Sequence, residues 1–130
     1  MERWENFNYR VCENCLSKLG VTAVNLQVEN SIFETELKVK QALQKREGGK
    51  PEYETLVGFA DLVTHEYVIE IKHVSDWKEG LKVLAYQDQL PNRKPRIHLF
   101  GGHSQPFREL VEKTLTKLGV TVTWEEEAGI

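Results

Sequence analysis

The stretch Asp61-Leu62-Val63-Thr64-His65-Glu66-Tyr67-Val68-Ile69-Glu70-Ile71-Lys72 decides how this chain is read. From Tyr67 to Lys72 the residues alternate as in a strand. Tyr67, Ile69 and Ile71 take one face, and Val68, Glu70 and Lys72 the other. Asp61 belongs to the preceding strand, residues 59–64, and Thr64-His65-Glu66 has the polarity of a tight antiparallel turn. Pairing the two strands as a hairpin brings Asp61 beside Glu70. Two carboxylates held that close raise at least one pKa unless a cation neutralises them. A hard divalent ion is the natural solution.

Magnesium, or manganese in its place, prefers oxygen ligands and retains several waters. Asp61, Glu70, a backbone carbonyl at Ile71 and a phosphate oxygen therefore suffice to hold it. The ammonium of Lys72 then stands where it can orient a nucleophilic water and offset charge on a phosphate. A third acid is sought in the helix predicted over residues 31–46, where Ser31 and Glu34 have capping-box spacing. Ile32, Glu36, Val39 and Leu43 share one helical face, so Glu36 interrupts an apolar stripe. An acid in that position needs a partner. Glu36 is preferred as the third carboxylate, with Glu34 the fallback and Glu54 of lower rank.

At these residues the chain resembles the PD-(D/E)xK nuclease superfamily, the restriction-endonuclease-like fold. The match is Gly58-Phe59-Ala60-Asp61, eight intervening residues, then Glu70-Ile71-Lys72, followed by a helix and a further strand. The resemblance implies an α/β fold with an αβββαβ core over residues 31–130, a mixed central sheet flanked by helices. It further implies a metal-dependent hydrolase, endonuclease or exonuclease, acting on nucleic acid. DNA is the expected substrate, and the products carry a 5′-phosphate and a 3′-hydroxyl. The compact build is similar to small stand-alone nucleases of phages, large DNA viruses and mobile elements. Two departures stand out. No proline precedes Asp61, and Lys82 with Tyr86 occupies the spacing where many members carry glutamine and tyrosine. By resemblance, Lys82 contacts the phosphate or assists Lys72.

Composition sets bounds on these readings. The 130 residues, 40% hydrophobic, suit one domain, with residues 1–30 an N-terminal helical extension and short strand. No stretch has the apolar length of a membrane span, and the first residues lack the pattern of a signal peptide. An intracellular, cytosol-like location is expected. A net charge of −3 argues against strong nonspecific polyanion binding, so binding must come from a local patch, a bound metal or weak contact. Lys78, Lys82, Arg93, Lys94 and Arg96 form the one dense basic group. A homodimer would be needed for concerted cutting of both strands of a duplex, because one site cuts one strand.

The remaining elements follow from periodicity and breakers. Residues 5–19 read as a helix, 21–28 as a short strand, and Glu47-Gly48-Gly49-Lys50-Pro51 as a mobile loop over the cleft. Strands are predicted over 53–57, 59–64, 67–72, 96–100 and 120–124, and helices over 76–89 and 104–118. In the last helix Phe107, Leu110, Val111, Leu115 and Leu118 are assigned inward. Trp77, Leu81 and Leu84 have core spacing, the four histidines read as structural or solvated, and Glu125 to Glu127 as a solvated acidic run. Cys12 and Cys15 lie one helical turn apart, without the four ligands a zinc site needs. Two other functions stay open: a noncatalytic nucleic-acid-binding or assembly module on the same scaffold, and a zinc or thiol module at the cysteines.

Overall fold

The computed structural model describes residues 23–126, with side chains from residue 31 onward. The chain divides after Phe33, and the unit Glu34–Ile130 holds the whole sheet. Helix α1 spans Ala23–Glu47 and is followed by β1 (Lys50–Thr55), β2 (Gly58–Val63) and β3 (Tyr67–His73). A 3-10 segment, Val74–Lys82, leads into α2 (Val83–Asp88). Then come β4 (Lys94–Phe100), α3 (Gln105–Lys117) and β5 (Thr121–Trp124). The result is an α/β fold on one five-stranded mixed sheet in the order β1-β2-β3-β4-β5. The first three strands run antiparallel to one another, while β3, β4 and β5 are parallel.

Several boundaries differ from the sequence reading, each for a physical reason. Residues 23–28, read as strand, are the start of α1, and Ser31 lies inside that helix rather than capping it. No glycine or proline occurs between residues 21 and 47, and a helix once nucleated extends until something stops it. Gly48 stops it, with φ +80° and its N–H donating to the Gln44 carbonyl at 2.7 Å. The glycine loop is no flap over the cleft. A Cβ on Gly49 would lie 2.6 Å from the Val63 carbonyl oxygen, so the loop is packed on the Val63 end of β2, and Lys50 and Pro51 already belong to β1. The helix read over 76–89 opens as a 3-10 segment with a kink at Asp76. Leu110 and Leu118, assigned inward, are 57% and 49% exposed, whereas Val111 and Leu115 are buried.

Apolar residues cover both faces of the sheet. Val68, Ile97 and Leu99 form one cluster with Val83 and Tyr86, and with Val111 and Leu115 of α3. Trp77, Leu81 and Leu84 pack against its edge. Ile69 and Ile71 alternate to the other face, in register with Arg96 and His98. Val39 and Leu43 of α1 are buried as well. Arg96 shows that α1 covers that second face. Its guanidinium makes two bonds to Glu47, at 2.7 and 2.9 Å, at the end of α1.

Arg96 begins a relay that joins α1, β4 and β5. Its Nε donates to the Thr123 hydroxyl at 2.9 Å, and that hydroxyl lies 2.7 Å from His98 Nδ1. His98 Nε2 is 2.8 Å from Glu125, which also receives Arg46 at 2.8 Å. Burial pulls the His98 pKa down, against the opposing hydrogen bond to Glu125. One neutral tautomer satisfies every partner: Nε2–H donates to Glu125, and Nδ1 accepts from Thr123. Two expectations are thereby corrected. Arg96 is no part of a solvent-facing basic patch, and Glu125 is no part of a solvated tail.

Truncation of Glu47 leaves the Arg96 charge buried without its carboxylate. Glu47→Ala is therefore expected to lower stability by about 1–3 kcal/mol in urea unfolding, discounted because Glu47 itself is partly exposed. An unchanged midpoint would show that the relay does not anchor α1.

Candidate active site

The hairpin expected from Asp61 to Lys72 forms, and Thr64 closes it. The Thr64 N–H donates to the Tyr67 carbonyl at 2.8 Å, and the Thr64 hydroxyl accepts from the Tyr67 N–H at 2.9 Å. Ladder pairing then runs only through Val63↔Val68 and Leu62↔Ile69. Beyond it, two side chains take over from the backbone. Asp61 N–H donates to Glu70 Oε2 at 3.1 Å, and Ile71 N–H donates to Asp61 Oδ2 at 2.9 Å. Each acid thus accepts an N–H from the opposite strand, and Asp61 and Glu70 are held together as the sequence implied.

The strand is re-aimed at this point. Ala60 joins the same apolar cluster as Val63, although strict alternation would send the two to opposite faces. Glu52 lies opposite Asp61 in the β1–β2 register, between Pro51↔Leu62 and Tyr53↔Ala60, and has φ +48°. A left-handed glutamate costs about 1 kcal/mol or more, and Lys40 of α1 pairs with its carboxylate. No sequence signal marks this position. At the other end of β2, Gly58 has φ +136°, and a Cβ there would lie 3.1 Å from the Tyr86 hydroxyl. Glycine therefore lets Tyr86 close against the start of the strand that carries Asp61.

Glu70 is the most perturbed group in the site. It is 1% exposed, and its second oxygen, Oε1, is a buried polar atom without a hydrogen-bond partner. Burial, with the neighbouring Asp61 charge second, pushes its pKa up to about 8. The nearest cation is Lys82, whose Nζ lies 3.7 Å from Oε1. Burial and the charges of Glu70 and Asp61 likewise push the Tyr86 phenol up to about 12. A desolvated carboxyl oxygen without a hydrogen bond, beside a second carboxylate, is a fit for a hard cation.

Lys72 and Glu36 complete the predicted set, as a pair. Lys72 Nζ lies 4.0 Å from Glu36 Oε2, so α1 delivers Glu36 to the lysine rather than directly to Glu70. Burial raises the Glu36 pKa, with Lys72 opposing that shift. Among the described residues, no three His, Cys, Asp or Glu side chains already stand as a metal-binding group. Ile71 takes part through its backbone, its side chain being buried. Glu34 and Glu54 are exposed. His73, directly after Lys72, accepts from the Ser75 N–H at 3.1 Å and so caps the 3-10 segment.

The basic group foreseen near the site is largely committed elsewhere. Arg93 donates to the Thr64 carbonyl at 3.0 Å, and Lys94 lies 3.7 Å from Glu66, both at the turn end of the hairpin. Lys78 stands over the Trp77 ring. Lys82 alone of the five faces the acids. Cys12 and Cys15, and the helix read over 5–19, lie outside the described residues.

The chain is similar to proteins of a large DNA virus. The chain is 31% identical over 122 residues to a KilA-N domain-containing protein, L32, of Acanthamoeba polyphaga mimivirus; the match covers 93% of the chain and 32% of that protein. A second mimivirus protein named for the same domain, L33, is 32% identical over 76 residues, covering 58% of the chain and 31% of that protein. The chain thus spans about a third of the length of the curated relatives it matches. No family model and no solved structure matches the chain. No helix among the described residues is long and apolar enough to cross a membrane.

Linkage gives the Glu70 environment a measurable signature. An unfolded Glu70 ionises near 4.5 while the folded one keeps its proton up to about 8, so stability falls as pH rises through that window. Glu70→Gln mimics the protonated form. In the metal-free protein it is expected to raise the melting temperature on the order of 5 °C at about pH 9 and to leave it nearly unchanged at about pH 4. Equal melting of the two proteins at both pH values would contradict a strained carboxylate.

Proposed function

We propose that this chain is a divalent-metal-dependent nuclease with a restriction-endonuclease-like core, hydrolysing nucleic-acid phosphodiesters, with DNA the expected substrate. The observation that carries this reading is the crossed pair Asp61–Glu70, with Glu70 Oε1 buried and without a hydrogen bond, two residues before Lys72 on the same strand. The αβββαβ order of the elements, with β3 between an antiparallel and a parallel neighbour, supports the same reading. Relatives in mimivirus agree with the viral placement that the motif resemblance implies.

Asp61, Glu70 and the Ile71 carbonyl are the groups that would hold magnesium or manganese. Such an ion, when bound, withdraws charge from the phosphate and makes water more acidic. The chain's own residues do the rest. Lys72 orients the attacking water and offsets negative charge on the phosphate oxygens. Glu36 fixes the lysine from across the cleft, while the backbone bonds of Asp61 and Glu70 keep both carboxylates in place. Water adds to phosphorus, the bond to the 3′ oxygen breaks, and that oxygen takes up a proton. A 5′-phosphate and a 3′-hydroxyl result.

Labelled linear, branched and single-stranded DNA, and RNA, incubated with magnesium or manganese, test the assignment. Asp61→Ala and Lys72→Ala are each expected to reduce cleavage by about 100-fold or more while the far-UV spectrum stays native. Undiminished cleavage by both variants would reject the assignment, and metal-indifferent binding without turnover would favour a noncatalytic module.

A further inference from the structure

Lys82 holds a position that the proposed chemistry alone does not explain. Its Nζ faces Glu70 Oε1 at 3.7 Å, inside ion-pair range but beyond a hydrogen bond, so the oxygen keeps its lone pairs unsatisfied. The side chain is 49% exposed, whereas the carboxylate it faces is 1% exposed. Lys72, by contrast, is 15% exposed and is engaged with Glu36. Three acidic side chains, Glu36, Asp61 and Glu70, thus face two lysines, Lys72 and Lys82. Only one of those lysines has open solvent to retreat into. It lies at the junction of the 3-10 segment and α2, without a side-chain cap bond of its own.

We propose that Lys82 occupies the approach to Glu70 Oε1 in the metal-free protein, is displaced when a divalent cation binds, and thereby sets the affinity of the site for that cation. The inference rests on the metal-site reading above and extends it to regulation of the same site. A lysine and a metal ion compete for one oxygen. The ammonium stands against that oxygen while the site is metal-free, and it must withdraw before a divalent cation can reach it. The withdrawn ammonium remains beside the cleft, where an incoming phosphate provides its next partner. Glutamine, the residue usual at this spacing in the family that the motif resembles, would be neutral and would not compete in this way.

Calorimetric titration of the full chain with manganese tests the proposal without any substrate. Lys82→Met keeps the stem and removes the charge, and is expected to bind manganese about three- to tenfold tighter than the wild type. Lys82→Arg is expected to stay within about twofold of the wild type, and the gap between wild type and Lys82→Met to narrow as salt screens it. Lys78→Met, which alters a lysine over Trp77, serves as the control for general charge. If manganese binding is absent in the wild type, or survives Glu70→Gln undiminished, the metal-site reading falls and this inference falls with it. If binding depends on Glu70 but Lys82→Met binds no tighter, the role of Lys82 alone is overturned.

Discussion

The structure depends on an exchange at one rung of the sheet, where carboxylates stand in for ladder carbonyls. A backbone N–H at the middle of a sheet must be satisfied. Beyond Leu62↔Ile69, the Asp61 and Ile71 N–H groups find Glu70 Oε2 and Asp61 Oδ2 instead of peptide oxygens. Sheet continuity and placement of the acids are therefore one feature. The arrangement uses one oxygen of Glu70 and leaves the other bare in a buried setting, which is why that carboxyl holds its proton so far above the ordinary range. Strain of this kind persists because the flanking strands are fixed. Val68, Ile97 and Leu99 are buried with Val83 and Tyr86 on one side, and Glu52 in its left-handed conformation is paired with Lys40 on the other.

Placement of Glu36 is set from the opposite end of α1. Eleven residues separate Glu36 from Glu47, about 16 Å along a helix. Arg96 and Thr123 fasten the Glu47 end to β4 and β5, and His98 and Glu125 bring in Arg46. The helix then runs antiparallel to β3, and its other half reaches the level of Lys72. A polar relay near the sheet's far end thus aims a side chain at the site. Burial of Arg96 and His98 makes sense in those terms: each is costly to desolvate, and each is fully partnered.

Much of this was legible because the informative residues lie close in sequence. Alternation from Tyr67 to Lys72 and the polar turn at Thr64 are local signals, and they place Asp61 and Glu70 together without tertiary knowledge. The interrupted stripe at Glu36 was legible too, since Val39 and Leu43 share its face and are buried. What escaped was set by distant partners. Arg96 read as a surface cation beside Pro95, yet Glu47, 49 positions away, draws it under α1. Glu125 read as the start of an acidic tail, although His98 and Arg46 claim it. The start of α1 was misread because an alternating run ahead of Ser31 mimics a strand, and only the absence of a breaker argues otherwise. Glu52 carries no signal at all, since its backbone conformation follows from the ladder opposite Asp61.

Charge distribution finally constrains how a polyanion approaches, on the proposed reading. The chain carries −3 overall, and many of its cations are spent internally: Arg46 and Arg96 on the relay, Arg93 on Thr64, Lys40 on Glu52, Lys72 on Glu36. A phosphate arriving at the metal-free site would face the Asp61 carboxylate, and like charges at close range repel. Two added positive charges between Asp61 and Glu70 invert that local field. They also release Lys82 from Glu70, so the same event supplies a second cation at the rim. Metal binding should then precede productive binding of the nucleic acid, with the ion serving as its first point of attachment as well as the source of reactivity.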